Sequence, residues 1–250
     1  MVDEQIRRTT TQGVRVDAIP ALDDVVKLIH NRLRERETLL MTFVNPGTAV
    51  MAQRNREFAE LVDAFDVVAP DGIGMSLAIQ WLHKLPAQRI SFDATSLAPI
   101  VLQMAADYEQ TVVVCGGQPG IAEQAASQLM TRYPTLKIIG TFDGYGDRAK
   151  LIENIGHLQP QIVICGMGSL VQESFLLALM RSGWRGLGFT CGGFLDQLSN
   201  GFNYYPKVVN ALNLRWAYRL AKDPRRLWRR YLLDYPVFAF GLCKALSHQE

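Results

Sequence analysis

The chain has 250 residues, 48% hydrophobic and 20% charged, with a formal net charge of +2 that says little about partners when averaged over the whole. That is enough chain for one large α/β domain, or for one domain with an appendage. No apolar run reaches transmembrane length, polar Met1–Gly13 does not read as a signal peptide, and the four cysteines lie far apart without a CxxC pair. Buried, reduced thiols in a cytosolic protein are therefore expected rather than a structural zinc site.

Residues 1–13 read as a loose arm and Val14–Pro20 as a short edge strand. From Ala21 to Arg36, Leu22, Val25, Val26, Ile29 and Leu33 recur at helical spacing. Thr38–Val44 predicts a strand, Asn45-Pro46-Gly47 its exit turn, and Thr48–Phe65 one helix. Val67-Val68-Ala69 ends the next strand, stopped by Pro70, and Met75–Leu85 is helical. Arg89–Asp93 is a connector before a helix over Thr95–Tyr108. The rhythm continues with strands over Thr111–Cys115, Leu136–Gly140, Ile162–Cys165 and Gly186–Thr190. Helices over Ile121–Tyr133, Arg148–Leu158 and Gln172–Arg181 separate them. Strands alternating with helices predict βαβ units. Apolar runs without alternation predict a mainly parallel, Rossmann-like sheet with helices on both faces.

The last forty residues differ. Between Ala211 and Glu250 stand eight basic and three acidic residues, interleaved with Trp216, Tyr218, Trp228 and Tyr231. The segment reads as a basic amphipathic appendage for anionic lipid headgroups or an anionic ligand, and otherwise as a solvated helix packed on the domain. The domain expectation is a catalytic body over 1–210 and a membrane-associating appendage over 211–250 that helps complete the site.

Ligands of open α/β sheets bind at the carboxyl edge of the strands. Polar candidates there are Asn45, Asp71, Asp143, Tyr145, Gln172 and Asp196, beside glycine turns such as Gly116-Gly117 and Gly192-Gly193. Asp71 follows a strand and precedes a helix, so it is either a functional carboxylate or a helix N-cap. Glycine lets a backbone approach a phosphate, and a helix N-terminus offers free N–H groups. The sequence holds no DxD, no GxGxxG, no GxxxxGK[ST] and no GxSxG, and its four histidines have no partner at metal-ligand spacing. A carboxylate and a carboxamide without metal or nucleophile suit base-assisted group transfer.

Six blocks taken in order resemble the WecG/TagA/CpsF glycosyltransferase family. They are Asn45 with Met51-Ala52-Gln53 and Pro70-Asp71-Gly72-Ile73-Gly74; Arg89 with Asp93; Asp143-Gly144-Tyr145; Gly168 with Gln172-Glu173; Gly192-Gly193-Phe194-Leu195-Asp196; and Leu214–Leu220 with Asp223-Pro224-Arg225-Arg226. The match runs from about residue 14 to about 235. Two departures stand out: Ser169-Leu170-Val171 replaces a small-Pro-Lys run, and Phe43 stands where some members have threonine.

The resemblance implies an inverting, metal-independent hexosyl transfer. The donor would be a UDP-sugar of N-acetylmannosamine or glucose type. The acceptor would be a polyprenyl-diphosphate-linked saccharide, in bacterial surface polysaccharide synthesis at the cytoplasmic face of the inner membrane. It makes Asp71 the general base, with Asn45 beside it, and has Gln172, Arg89 and Asp93 line the substrate pocket. The C-terminal arginines Arg219, Arg226 and Arg229 would close over the site. Independently of the resemblance, the glycine-bearing strand exits place the nucleotide near Gly116, Gly117, Tyr145, Gly192, Gly193 and Asp196. No metal or other cofactor is expected, and no nucleic-acid partner; an anionic membrane surface is a partner, and a homo-oligomer stays open. The alternatives are a nucleotide-dependent oxidoreductase, against which the first strand lacks the dinucleotide fingerprint, and a non-catalytic membrane or nucleic-acid binder using the tail.

Overall fold

A computed structural model of the chain describes residues 5–202, 204–206, 209 and 215–248, with the side chains of Arg215 and Arg226 outside that description. Its centre is a six-stranded sheet of β3 (Leu39–Val44), β4 (Val67–Pro70), β5 (Thr111–Gly116), β6 (Lys137–Phe142), β7 (Ile162–Gly166) and β8 (Leu187–Thr190). The spatial order is β4-β3-β8-β7-β5-β6, and every neighbouring pair is parallel. All six strands therefore deliver their C-terminal ends to one edge. The expected parallel α/β architecture is what the chain adopts.

Helices cover both faces: α1 (Leu22–Glu35), α2 (Pro46–Arg54), α3 (Arg56–Asp63), α4 (Ile73–His83), α5 (Leu97–Asp107), α6 (Ile121–Arg132), α7 (Arg148–Leu158), α8 (Val171–Arg181) and α9 (Phe194–Ser199). Successive strand residues point to opposite faces. Leu39 and Met41 of β3 accordingly pack with Val25, Ile29 and Val101, whereas Leu40 and Val44 pack with Val50, Phe58 and Leu176. Each such side chain, fully buried, contributes about 1.5–3 kcal/mol of transfer free energy.

Two sequence expectations need correction. Arg7–Thr11 is not a loose arm: it is β1, paired antiparallel with β2 (Val14–Ala18) in register from Arg7↔Ala18 to Thr11↔Val14. The two-residue turn places both Gln12 (φ 52) and Gly13 (φ 80) in the left-handed region, as a tight hairpin requires. The helix expected over Thr48–Phe65 is two helices. Asn55 closes α2 and caps α3, its Oδ1 accepting from the Phe58 N–H at 3.1 Å. The short helix α9 has no counterpart among the elements the sequence predicts.

The hairpin braces the edge strand β4. Arg15 donates to both Asp17 carboxylate oxygens at 3.1 Å and to the carbonyls of Asp63, Phe65 and Asp66. Asp17 Oδ2 accepts from the Val68 N–H at 2.9 Å. Burial pushes the Asp17 pKa up despite the Arg15 hydrogen bond. The pair thus satisfies backbone groups that an edge strand would leave open.

The C-terminal segment forms α10 (Arg215–Lys222), α11 (Pro224–Arg229), a π-helical turn (Arg230–Asp234) and α12 (Tyr235–Ser247). It folds back over the strand exits. Phe238 and Leu242 of α12 are buried in the core beside α2 and α4, Arg54 pairs with Asp234 at 2.8 Å, and Gln12 donates to the Phe238 carbonyl at 2.8 Å. Among the described residues no helix is long and apolar enough to cross a membrane.

Candidate functional site

A cavity of about 1290 Å³ opens at the carboxyl edge of the sheet, roofed by the C-terminal segment. Single-ligand pockets run to about 300–1,000 Å³, so there is room for more than one reactant. Every strand exit from β3 to β8 contributes lining residues.

Asp71 is the first residue after β4. Its N–H donates to the Val44 carbonyl at 2.8 Å, which locks it beside the exit of β3, where Val44 pairs with Pro70. It does not cap α4: the N-cap is Gly72, at φ 86, with no side-chain cap bond. Its carboxylate instead accepts from the Ser91 hydroxyl, on the connector between α4 and α5, and it faces the cavity. The connector is fixed by the Ile90 N–H donating to the Pro70 carbonyl at 2.9 Å.

Cations surround that carboxylate. Arg89 forms an ion pair with Asp93, and both line the cavity. Burial works against the Arg89 charge, but Asp93 and then Asp71 outweigh it, so its pKa is raised. Arg219 of α10 is half-buried; partial desolvation works against its charge too, but Tyr205, Tyr231 and Asp71 together raise its pKa. A Cβ on Gly193 would stand 3.2 Å from Arg219 Nη2, so the guanidinium lies against the β8 exit. Burial pushes the Tyr205 phenol up to about 12; burial, Tyr231 and Asp71 push Tyr235 up as well. Residues separated by more than a hundred positions thus meet around Asp71.

Asn45 lines the cavity and also caps α2. Its Oδ1 accepts from the N–H groups of Gly47 at 3.0 Å and Thr48 at 3.1 Å, while its own N–H donates to Thr48 Oγ1 at 2.8 Å. Its carboxamide NH₂ is the group left for a substrate. Gln172 is buried at the cavity floor. It donates to Glu173 at 2.9 Å and accepts from the Gly192 N–H at 3.2 Å. Glu173 also accepts from Thr42 Oγ1 at 3.1 Å and the Leu170 N–H at 2.7 Å, and burial still pushes its pKa up. The Gln172 carboxamide is therefore occupied in fixing the β8 exit.

The glycines have packing reasons of their own. A Cβ on Gly116 (φ 134) would fall 2.3 Å from the Gly166 carbonyl oxygen, and one on Gly117 (φ 73) 2.5 Å from Ile121. Gly117 donates to the Gly166 carbonyl and Gly144 to the Gly117 carbonyl, so three strand exits are laced together backbone to backbone. Gly117, Gly192, Gly193, Asp196 and Tyr145 line the cavity, with Tyr145 72% exposed at its rim; Gly116 lies beneath the lining. Asp143 shapes that rim by accepting from the N–H groups of Tyr145 and Gly146.

The tail arginines divide. Arg219 reaches the site. Arg229 does not: it is exposed, its guanidinium 5.7 Å from the Trp228 ring. The side chain of Arg226 lies outside the described residues. Arg230 lines the cavity instead, its stem against Gly47, where a Cβ would stand 2.9 Å away. The π-helical turn begins there; such turns are frequent at functional sites. Sequence reading named Tyr231 only among the tail aromatics and did not count Ser91, Tyr205 or Tyr235 as site residues, since none carries a motif. Among the described residues no group of three His, Cys, Asp or Glu is placed to share a metal ion.

Known glycosyltransferases resemble the chain over most of its length. The chain is 25% identical over 242 residues to a UDP-Gal:alpha-D-GlcNAc-diphosphoundecaprenol beta-1,4-galactosyltransferase of Shigella boydii, covering 95% of this chain and 93% of that protein. It is 26% identical over 212 residues to an N-acetylglucosaminyldiphosphoundecaprenol N-acetyl-beta-D-mannosaminyltransferase of Bacillus subtilis (strain 168), covering 84% and 81%. A Bacillus spizizenii protein of the same name is 24% identical over 213 residues, covering 85% and 81%. The model of one family matches residues 9–250, nearly the whole length, and by that match the chain belongs to the glycosyl transferase WecG/TagA/CpsF family.

Proposed function

We propose that this glycosyltransferase moves a sugar, of N-acetylmannosamine or glucose type, from a UDP-sugar to a polyprenyl-diphosphate-linked saccharide, with inversion and without a metal. The observation that carries the reading is the meeting of Asp71 with Arg219 in one cavity large enough for donor and acceptor. The relatives named above act on diphosphoundecaprenol-linked N-acetylglucosamine, which supports the acceptor class.

In this reading the acceptor hydroxyl gives its proton to Asp71 as its oxygen attacks the anomeric carbon. The bond from that carbon to the UDP β-phosphate oxygen breaks, and UDP leaves with the electron pair. Arginine suits the departing diphosphate because its fork of donors matches phosphate oxygens, and in a buried site such pairs act at full strength. Arg219 and Arg230 are placed for that task, and the glycine exits of β5 to β8 for the nucleotide. Asn45 would orient the acceptor, and Arg89 and Asp93 would hold its saccharide. Titration with UDP in excess EDTA should give the same affinity as without chelator. Loss of binding on chelation would refute the metal-free part, and tight NAD binding in its place would favour an oxidoreductase.

The tail would also hold the enzyme at the cytoplasmic face of the inner membrane. Trp228, Leu232, Leu233, Val237 and Phe240 are all exposed, beside Arg225 and Arg229. Each cation near an anionic surface contributes on the order of 1 kcal/mol, falling with salt. Replacing Trp228, Leu232 and Phe240 together by serine should release the protein from anionic vesicles without unfolding it. Unchanged sedimentation with the vesicles would remove this role.

A further inference from the structure

The cavity has an apolar arm that the transfer chemistry leaves unused. Ile73, Leu77 and Trp81 of α4 form a stripe at i, i+4, i+8, and all three line the cavity. Ile73 is 50% and Trp81 46% exposed, although α4 carries no Asp, Glu, Lys or Arg. Across from them, Tyr235, Phe238 and Leu242 of α12 also line the cavity, at helical spacing. The only Lys, Arg, Asp or Glu of α12 is Lys244. Two nearly uncharged helices thus present apolar stripes to one groove.

We infer that this α4–α12 groove holds the polyprenyl chain of the acceptor, next to its diphosphate; this rests on the function proposed above. Continuity decides the occupant. Asp71 stands two residues before Ile73, so one end of the stripe is the carboxylate that would receive the acceptor proton. From Ile73 to Trp81 the stripe runs about 12 Å along the helix, away from the reacting end. Arg219, whose pKa Asp71 helps to raise, marks that end as the reacting one. A UDP moiety has no apolar part to match this wall, whereas a polyprenyl chain is apolar throughout. The other side of α12 carries Val237 and Phe240, exposed and outside the cavity, so one helix presents one apolar side to the groove and another to the surface. A lipid could pass from bilayer to active site along α12 without meeting a charged wall.

Two measurements on the full chain test this. A benzophenone-bearing polyprenyl diphosphate in detergent should cross-link to peptides from Ile73–His83 and Tyr235–Ser247, with unlabelled polyprenyl phosphate competing. Adducts confined to Trp228, Leu232 and Leu233, or scattered over the surface, would overturn the groove and leave only a membrane-facing tail. In transfer assays, a polyprenyl acceptor should show a KM on the order of tenfold below that of a short-chain acceptor with the same saccharide and diphosphate. The double variant Ile73→Gln/Trp81→Gln should bring that ratio within about twofold, because burial of the chain is what it removes. A wild-type ratio in the variant would overturn the proposal. Groove adducts with no transfer from any UDP-sugar would uphold the lipid site and strike down the catalytic reading.

Discussion

Asp71→Asn should lower sugar transfer at least roughly 10²-fold while leaving UDP affinity and thermal stability close to those of the unchanged protein. Asparagine has the same shape, and its Oδ1 can still accept the Ser91 hydroxyl bond that holds the carboxylate. What it lacks is basicity. Positioned acid–base catalysis typically contributes about 10²- to 10⁴-fold, and that contribution is what the substitution removes. A capping role would not produce the effect, because Asn and Asp rank together at N-caps, and here Gly72 rather than Asp71 occupies that position. Initial rates at saturating donor and acceptor, with calorimetric UDP titration and thermal unfolding of the same samples, check this. Near-unchanged turnover would remove the base assignment.

Arg219→Ala should cost on the order of 10²- to 10³-fold in kcat, the range for loss of one preorganised group facing developing charge. The guanidinium is half-buried, lies against Gly193 and stands in the field of Asp71, so its loss removes a positive charge fixed at the cavity wall. Arg219→Lys should recover only part of the rate, since a point charge lacks the paired donors of the fork. The neighbouring arginines sharpen the test. The family resemblance assigns Arg229 to the site, whereas the geometry brings Arg230 to the cavity and leaves Arg229 exposed over Trp228. Arg230→Ala should therefore reduce kcat more than Arg229→Ala, measured at saturating donor. The reverse order would contradict the placement of Arg230, rather than Arg229, at the cavity.

What the sequence made legible was local. Short apolar runs ended by Pro or Gly located five of the six parallel strands, because strands covered on both faces need no alternation, while the partly exposed edge strand β6 runs on past the predicted end at Gly140 to Phe142. The exit of a strand into a helix placed Asp71 at the ligand-binding edge before any contact was known. The hairpin of Arg7–Thr11 stayed hidden because its residues are polar and its Gln-Gly turn is a weak signal beside Asn-Gly. Asn55 broke a helix that hydrophobic spacing alone had continued. Partnerships across the chain were out of reach: Gln172 with Gly192, Thr42 with Glu173, and Arg219 beside Asp71 arise only when the sheet closes and the tail folds back. Asn45 shows the same boundary from the other side. Its carboxamide was legible as a pocket group, but the helix cap that occupies its oxygen required the geometry of α2.

The most direct measurement follows both products of the proposed transfer. The full chain, incubated with a panel of UDP-sugars and a polyprenyl-diphosphate-linked N-acetylglucosamine, is assayed for free UDP and for the mass of the lipid-linked saccharide. The account predicts that one donor releases UDP in step with acceptor lengthened by a single sugar, with inverted anomeric configuration, and that excess EDTA leaves the rate unchanged. UDP release that does not depend on the acceptor, or an acceptor that gains no sugar from any donor, would contradict it.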